Sequence, residues 1–81
     1  MSNDIRDKII QFATMRQVTG SGTITGKTKL KDIKFSASSG GKNAFREDIL
    51  ETYAPVFPDS GIDSFVTMDD LVQYVDENRA L

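Results

Sequence analysis

The chain has 81 residues, contains neither cysteine nor histidine, and carries a formal net charge of −2 at pH 7. This length predicts one small domain, residues 1–81. The missing cysteine and histidine exclude disulfides, thiol nucleophiles, Cys/His zinc sites and a histidine general base. The negative net charge, with no basic recognition helix, disfavours nucleic-acid binding, which requires clustered Lys and Arg.

The chain also has no apolar run approaching the ~20 residues that span a bilayer. Its first residues, Met1-Ser2-Asn3-Asp4, are polar, unlike those of a secretory signal. We therefore expect a cytoplasmic protein with no membrane partner.

The first predicted element is a helix from Asp4 to Gln17. Ser2, Asn3 or Asp4 is expected to cap its start, and the Gly/Ser/Thr run near Gly20 to end it. Its apolar stripe at helical spacing consists of Ile5, Ile9, Phe12, Ala13 and the later Val18.

The next stretch, GSGTITGKT from Gly20 to Thr28, is close to the phosphate-binding pattern G-x-x-x-x-G-K-[ST]. Counting back from Gly26 puts the required first glycine at position 21, which is Ser21. A phosphate loop also follows a buried strand, whereas the residues before Gly20 have the pattern of a helix. We interpret the stretch as a connecting loop and expect no nucleotide.

Apolar residues anchor the long loop between the first two helices, with Leu30 and Ile33 spaced as in one short helical turn. The anchors are Ile24, Leu30, Ile33 and Phe35. The same segment holds the main basic concentration of the chain, Lys27, Lys29, Lys31 and Lys34. We interpret these lysines as a solvated face, with docking of an anionic partner as the alternative.

The second helix is predicted from Lys42 to Ala54. It follows the segment SASSGG at residues 36–41, whose serines tend to hydrogen-bond nearby backbone instead of continuing a helix. Phe45, Ile49 and Tyr53 form its apolar stripe, and Pro55 ends it because proline disfavours α geometry in the preceding residue.

A turn-rich link at residues 59–64, with room for one helical turn, precedes the third predicted helix. Thr67 is the expected N-cap, with Asp70 completing a capping box. The apolar stripe of this helix is Met68, Leu71, Val72 and Val75.

Four aspartates near the link raise the question of a calcium loop: Asp59, Asp63, Asp69 and Asp70. An EF-hand loop beginning at Asp59 would place Gly61 at the third position, Ser64 at the sixth and Asp70 at the twelfth. None of these matches the oxygen ligand, glycine and glutamate required there. We expect no metal and interpret the acids as turn and cap residues.

Two segments carry a resemblance to a known family. Both segments resemble parts of acyl carrier proteins. Residues 56–75, VFPDSGIDSFVTMDDLVQYV, resemble the stretch from the end of helix II through the last helix of that family. Residues 28–35, TKLKDIKF, resemble the step before its modified serine. The order and spacing of the elements match along nearly the whole chain. The resemblance implies an all-α fold, a small acyl-carrier-like helical bundle with three main helices plus a short helical turn.

In that family a serine at the start of helix II carries 4'-phosphopantetheine, where helix amides favour a phosphodiester. Counting back from Pro58 by the family's helix length lands on Ser39. Counting forward from Leu30 and Ile33 lands instead on Ala37, with Ser36 where the family has Asp. We take Ser39 as the attachment candidate, with Ser38 and Ser36 as alternatives. The family's Asp-Ser-Leu motif is absent around Ser39, so the serines could instead serve only to cap helix II.

The resemblance implies a carrier of acyl or related intermediates in fatty acid or secondary metabolite biosynthesis, not an enzyme. The expected partners are a phosphopantetheinyl transferase and a ketosynthase or acyl ligase, and the expected state is a monomer. The alternative is a non-modified protein–protein interaction module with the same bundle. The partner-binding candidates on helix II are Lys42, Arg46, Glu47 and Glu51. The predicted core is Ile9, Phe12, Leu30, Ile33, Phe45, Ile49, Tyr53, Phe65, Leu71, Val72 and Val75.

Overall fold

A computed structural model of the chain describes residues 3–58 and 61–81. Three α-helices form the protein: α1 (Asn3–Arg16), α2 (Gly41–Tyr53) and α3 (Met68–Asn78). Three short 3-10 turns occupy Leu30–Asp32, Ala37–Ser39 and Gly61–Ser64. The described part of the chain contains no β-strand, only two isolated bridges, so the predicted small all-α fold is confirmed.

Helix α1 begins and ends one residue before the predicted bounds. Ile5, Ile9 and Ala13 are buried along one face, and Phe12 packs against the core while remaining partly exposed. The placement of Val18 on this face is wrong, because the helix ends at Arg16 and Val18 is 44% exposed. The predicted cap Ser2 lies outside the described residues. The amide of Gln17 closes the final turn on the carbonyl of Ala13 at 3.0 Å.

The long loop after α1 returns to the end of that helix. Its anchors Ile24, Leu30 and Ile33 are buried, and the predicted short turn is present at Leu30–Asp32. The amide of Val18 donates to the carbonyl of Lys34 at 2.7 Å. The loop thus delivers residue 35 next to α2, where the ring of Phe35 stacks on Phe45 with centroids 5.3 Å apart.

Helix α2 buries Phe45 and Ile49 completely. It ends at Tyr53, one residue earlier than predicted, because Ala54 adopts a left-handed conformation (φ 49°) ahead of Pro55. The amide of Ala54 still donates to the carbonyl of Leu50 at 2.9 Å, so this residue ends the helix without losing its hydrogen bond.

Helix α3 begins with the predicted capping box. The amide of Asp70 donates to Thr67 Oγ1 and the amide of Thr67 donates to Asp70 Oδ2, each at 3.2 Å. The helical turn predicted within residues 59–64 is observed at Gly61–Ser64. Asp59 and Ser60 lie outside the described residues. The predicted stripe of α3 is fully buried and consists of Met68, Leu71, Val72 and Val75.

The core where these elements meet is entirely apolar, since no polar or charged residue in the described ranges is buried. Three predicted core residues, Phe12, Tyr53 and Phe65, are only partly buried at its margin. Six buried residues were not in the predicted core: Ile5, Ala13, Ile24, Pro55, Ile62 and Met68. None of the helices within the described ranges is both long and apolar enough to cross a bilayer.

Candidate functional site

The predicted attachment serines lie in a separate helical turn that stops just before α2. We call residues Ser36–Gly41 the serine turn. The amide of Gly41 donates to the carbonyl of Ser36 at 2.8 Å, and the amide of Gly40 donates to the carbonyl of Ala37 at 3.2 Å. This pair of hydrogen bonds around a left-handed residue is a Schellman motif, which ends a helix. The chain therefore completes one helical turn, reverses at Gly40 and starts α2 anew.

Glycine is required at the point of reversal. Gly40 has φ 95° and Gly41 has φ 68°, values that residues with a Cβ rarely adopt. A Cβ on Gly40 would also lie 2.5 Å from the Cβ of Ala44. The backbone path of this turn therefore demands glycine at position 40.

The hydroxyl of Ser39 points back into the protein. Its Oγ lies 3.2 Å from the carbonyl oxygens of both Arg16 and Ser36, to which it donates. The carbonyl of Ser39 in turn accepts from Arg16 Nη1 at 2.7 Å. Ser39 is partly buried. Its side chain and its main-chain carbonyl both form hydrogen bonds with Arg16, and these connect the serine turn to the end of α1.

The other two candidates differ from each other in exposure. Ser38 is exposed and Ser36 is partly buried, and their hydroxyl oxygens are 2.8 Å apart. None of the three serines caps α2, because the N-cap position is occupied by Gly40 and no side chain bonds the helix end there. The expectation that the serines serve as caps of the second helix is therefore wrong, since the Schellman turn separates them from it.

Arg16 organises this end of the protein. Its Nε and Nη2 atoms donate to the two carboxylate oxygens of Asp48 on α2, at 2.9 and 3.0 Å. These hydrogen bonds raise the pKa of Arg16 above its usual value. The backbone carbonyl of Arg16 also accepts from the amide of Ser36 at 2.7 Å. One residue therefore contacts the serine turn and α2 at the same time, and the carboxylate of Asp48 faces inward.

The four partner-binding candidates on α2 divide into two groups. Lys42 and Arg46 line a cavity of about 400 Å³ together with Phe57 and Ile62, and Lys42 forms a salt bridge with Asp63. Glu47 and Glu51 are exposed and do not line this cavity. Arg46 Nη1 lies 3.7 Å from Glu47 Oε1. Asp63 was predicted from the sequence to be a turn residue. The structure shows that its carboxylate also pairs with Lys42 at the start of α2.

The described residues contain no group of three or more acidic side chains placed to hold a metal ion. The calcium loop considered for residues 59–70 begins at Asp59, which lies outside those residues. Asp69 and Asp70 have structural contacts instead: Asp69 accepts from Arg6 Nε at 3.0 Å, and Asp70 completes the cap of α3. These two acids therefore stabilise the fold.

Comparison of the chain with protein-family profiles, with curated proteins and with solved structures gave no match.

Proposed function

We propose that this protein is an acyl-carrier-like protein, which holds acyl or related intermediates as thioesters on a phosphopantetheine group attached at the serine turn. It would act in the cytoplasm as a substrate and partner of biosynthetic enzymes and not as an enzyme itself. Ser39 is the attachment candidate by its distance from Pro58, with Ser38 and Ser36 as alternatives.

The observation that carries this proposal is the position of the serine turn directly before α2. The first amides of a helix have no intrahelical acceptor, so those of Lys42 and Asn43 are available to a phosphate group near the turn. The helix dipole favours negative charge at the same place. The order of the elements supports the same function: a first helix is followed by a long anchored loop, a serine segment and a second helix.

The three serines differ in how well they fit a phosphodiester. Ser38 is exposed, and among the described residues its hydroxyl contacts only that of Ser36, so attachment there would break no other side-chain hydrogen bond. Attachment to Ser39 requires its hydroxyl to leave the carbonyls of Arg16 and Ser36. The bound group would supply the thiol that forms the thioester, and the chain itself would supply the serine oxygen and the helix amides.

The test is the intact mass of the protein after co-expression with a broad-specificity phosphopantetheinyl transferase. The serine oxygen would displace the adenosine bisphosphate half of coenzyme A and lose its proton, so the mass should rise by one phosphopantetheine group. Single variants Ser36→Ala, Ser38→Ala and Ser39→Ala identify the acceptor, because only the correct one loses the added mass. An unchanged mass in folded protein contradicts the carrier proposal.

A second candidate function is a non-modified interaction module with the same bundle. The specific observation in its favour is the hydroxyl of Ser39, which already donates to two main-chain carbonyls while Arg16 holds the carbonyl of the same residue. In this case Ser39 would have a purely structural role. Folded protein that gains no mass with the transferase supports this function.

A further inference from the structure

A groove beside the start of α2 combines a basic rim with an apolar floor. It has a volume of about 330 Å³. Its charged lining residues, which we call the rim, are Lys29, Lys31, Lys42 and Asp63, and its apolar lining residues, which we call the floor, are Leu30, Phe65 and Val66. We call this feature the basic groove. Two of the four lysines of the loop between α1 and α2, Lys29 and Lys31, line the basic groove.

The walls of the basic groove are fixed by main-chain hydrogen bonds. The amide of Leu30 donates to the carbonyl of Val66, and the amide of Met68 donates to the carbonyl of Thr28, each at 2.9 Å. Phe65 is held from behind by the ring of Tyr74, with centroids 4.9 Å apart. A ligand would therefore meet a preformed surface and would not need to order it, which lowers the cost of binding.

The charge of the basic groove is opposite to that of the whole chain. Three lysines and one aspartate give the groove +2, whereas the chain carries −2, so the remainder carries −4. Among the described residues, no carboxylate lies within 4.0 Å of the ammonium group of Lys29 or Lys31. Lys42 pairs with Asp63, but both side chains are largely exposed, and such a pair is easily exchanged.

The floor of the groove presents apolar surface to solvent. The residue Val66 is 61% exposed, although its main chain is held against Leu30. An exposed valine beside a partly buried phenylalanine and between lysines offers an apolar contact surrounded by positive charge. Interfaces commonly combine an apolar centre with a charged rim that selects the partner.

We propose that the basic groove docks an acidic segment of a partner protein that inserts one apolar side chain against Leu30, Phe65 and Val66. The acidic residues of that segment would pair with Lys29 and Lys31, and one of them would replace Asp63 at Lys42. The proposal names the class of partner and does not depend on attachment of phosphopantetheine to any serine.

The observations favour a protein segment over a membrane or a nucleic acid. Anionic lipid surfaces are read by clusters of about four to eight basic residues, whereas this groove has three lysines and an aspartate in a concave site. Nucleic-acid binding needs more extensive basic surface, and the negative charge of the remaining chain opposes it. An acidic peptide with one apolar side chain matches both the charge and the apolar lining of the groove.

The test uses the unmodified full chain and a synthetic peptide of alternating Asp and Glu with one central Phe. Titration followed by 15N-resolved amide NMR should shift the signals of Leu30, Phe65 and Val66. The double variant Lys29→Glu/Lys31→Glu should weaken binding at least about tenfold. The matched control Lys8→Glu/Lys34→Glu changes the net charge equally but outside the groove, and should retain most of the affinity. Val66→Ser should weaken binding about fivefold.

Three results would overturn the proposal: no shift at these amides, equal loss of affinity in the two double variants, or unchanged affinity for a peptide whose central Phe is replaced by Ser. Binding of phosphatidylserine vesicles without binding of the peptide would overturn it in favour of a membrane surface. Because no serine is modified in this experiment, its failure leaves the carrier function to be decided by the mass measurement.

Discussion

Arg16 at the end of α1 holds Asp48 of α2 through two parallel hydrogen bonds of 2.9 and 3.0 Å, although the two residues are 32 positions apart in the chain. Its third guanidinium nitrogen binds the carbonyl of Ser39. Because a planar guanidinium matches a carboxylate with two donors at once, this contact fixes the orientation of α1, α2 and the serine turn relative to one another.

The first prediction concerns this contact. Arg16→Ala leaves the carboxylate of Asp48 and the carbonyl of Ser39 without their donor, so we expect the Tm to fall by about 5 °C. Arg46→Ala is the matched control, since Arg46 lies on α2 with only a 3.7 Å contact to Glu47, and it should leave the Tm nearly unchanged. Thermal unfolding followed by circular dichroism measures both. Equal Tm values for the two variants would contradict the role of Arg16.

The second prediction concerns the reversal at Gly40. Gly40→Ala should lower the free energy of unfolding by about 2–4 kcal/mol, because it has two costs. The alanine must adopt a left-handed backbone conformation, and its Cβ meets the Cβ of Ala44. Gly20→Ala is the control for strain alone, since Gly20 has φ 84° and open space around its missing Cβ, and should cost about 1 kcal/mol. Urea unfolding gives both values. If the two variants are equally stable, the contact with Ala44 is unimportant.

The third prediction concerns the start of α3. Thr67→Ala removes the side-chain acceptor for the amide of Asp70 and should cost about 1 kcal/mol of unfolding free energy. Thr19→Ala, an exposed loop change, should cost much less. Chemical denaturation of the two variants measures the difference. A loss below a few tenths of a kcal/mol in Thr67→Ala would show that the capping box does not stabilise the helix.

The fourth prediction concerns Tyr53, the half-buried residue at the end of α2. Burial raises the pKa of its phenol above the usual value of 10.0, and Asp4 raises it further while Arg79 lowers it. In a Tyr74→Phe variant, which leaves one tyrosine, the midpoint of the phenolate absorbance titration should therefore lie above pH 10. Since the folded-state pKa is raised, the associated stability is fully present below pH 10 and decreases as pH rises beyond it. A midpoint at or below 10 would contradict this environment.

The sequence predicted the three helices well because each carries a regular apolar stripe and recognisable end signals. The capping box at Thr67 and the stop before Pro55 are local patterns, and both appear within a residue of the expected position. The short turn around Leu30 was also predictable from the spacing of two apolar residues. Local patterns of this kind need no knowledge of distant contacts.

The site was less predictable, since its decisive contacts are long-range. Nothing in the local sequence pairs Arg16 with Asp48, and the hydroxyl of Ser39 bonds to residue 16 across the whole loop. The two glycines that end the serine turn could have indicated a Schellman motif, but they read equally well as a flexible linker. Similarly, nothing in the local sequence distinguishes Asp48 from its exposed neighbour Glu47, yet the fold turns Asp48 inward to Arg16.

The measurement that tests the proposed function most directly is fragment mass spectrometry of the peptide containing the serine turn, after reaction of the folded protein with coenzyme A and a broad-specificity phosphopantetheinyl transferase. We expect one phosphopantetheine group on a single serine among Ser36, Ser38 and Ser39, with Ser39 as the first candidate. Unmodified serines in all three positions, under conditions in which an established acyl carrier protein reacts fully, would contradict the carrier function.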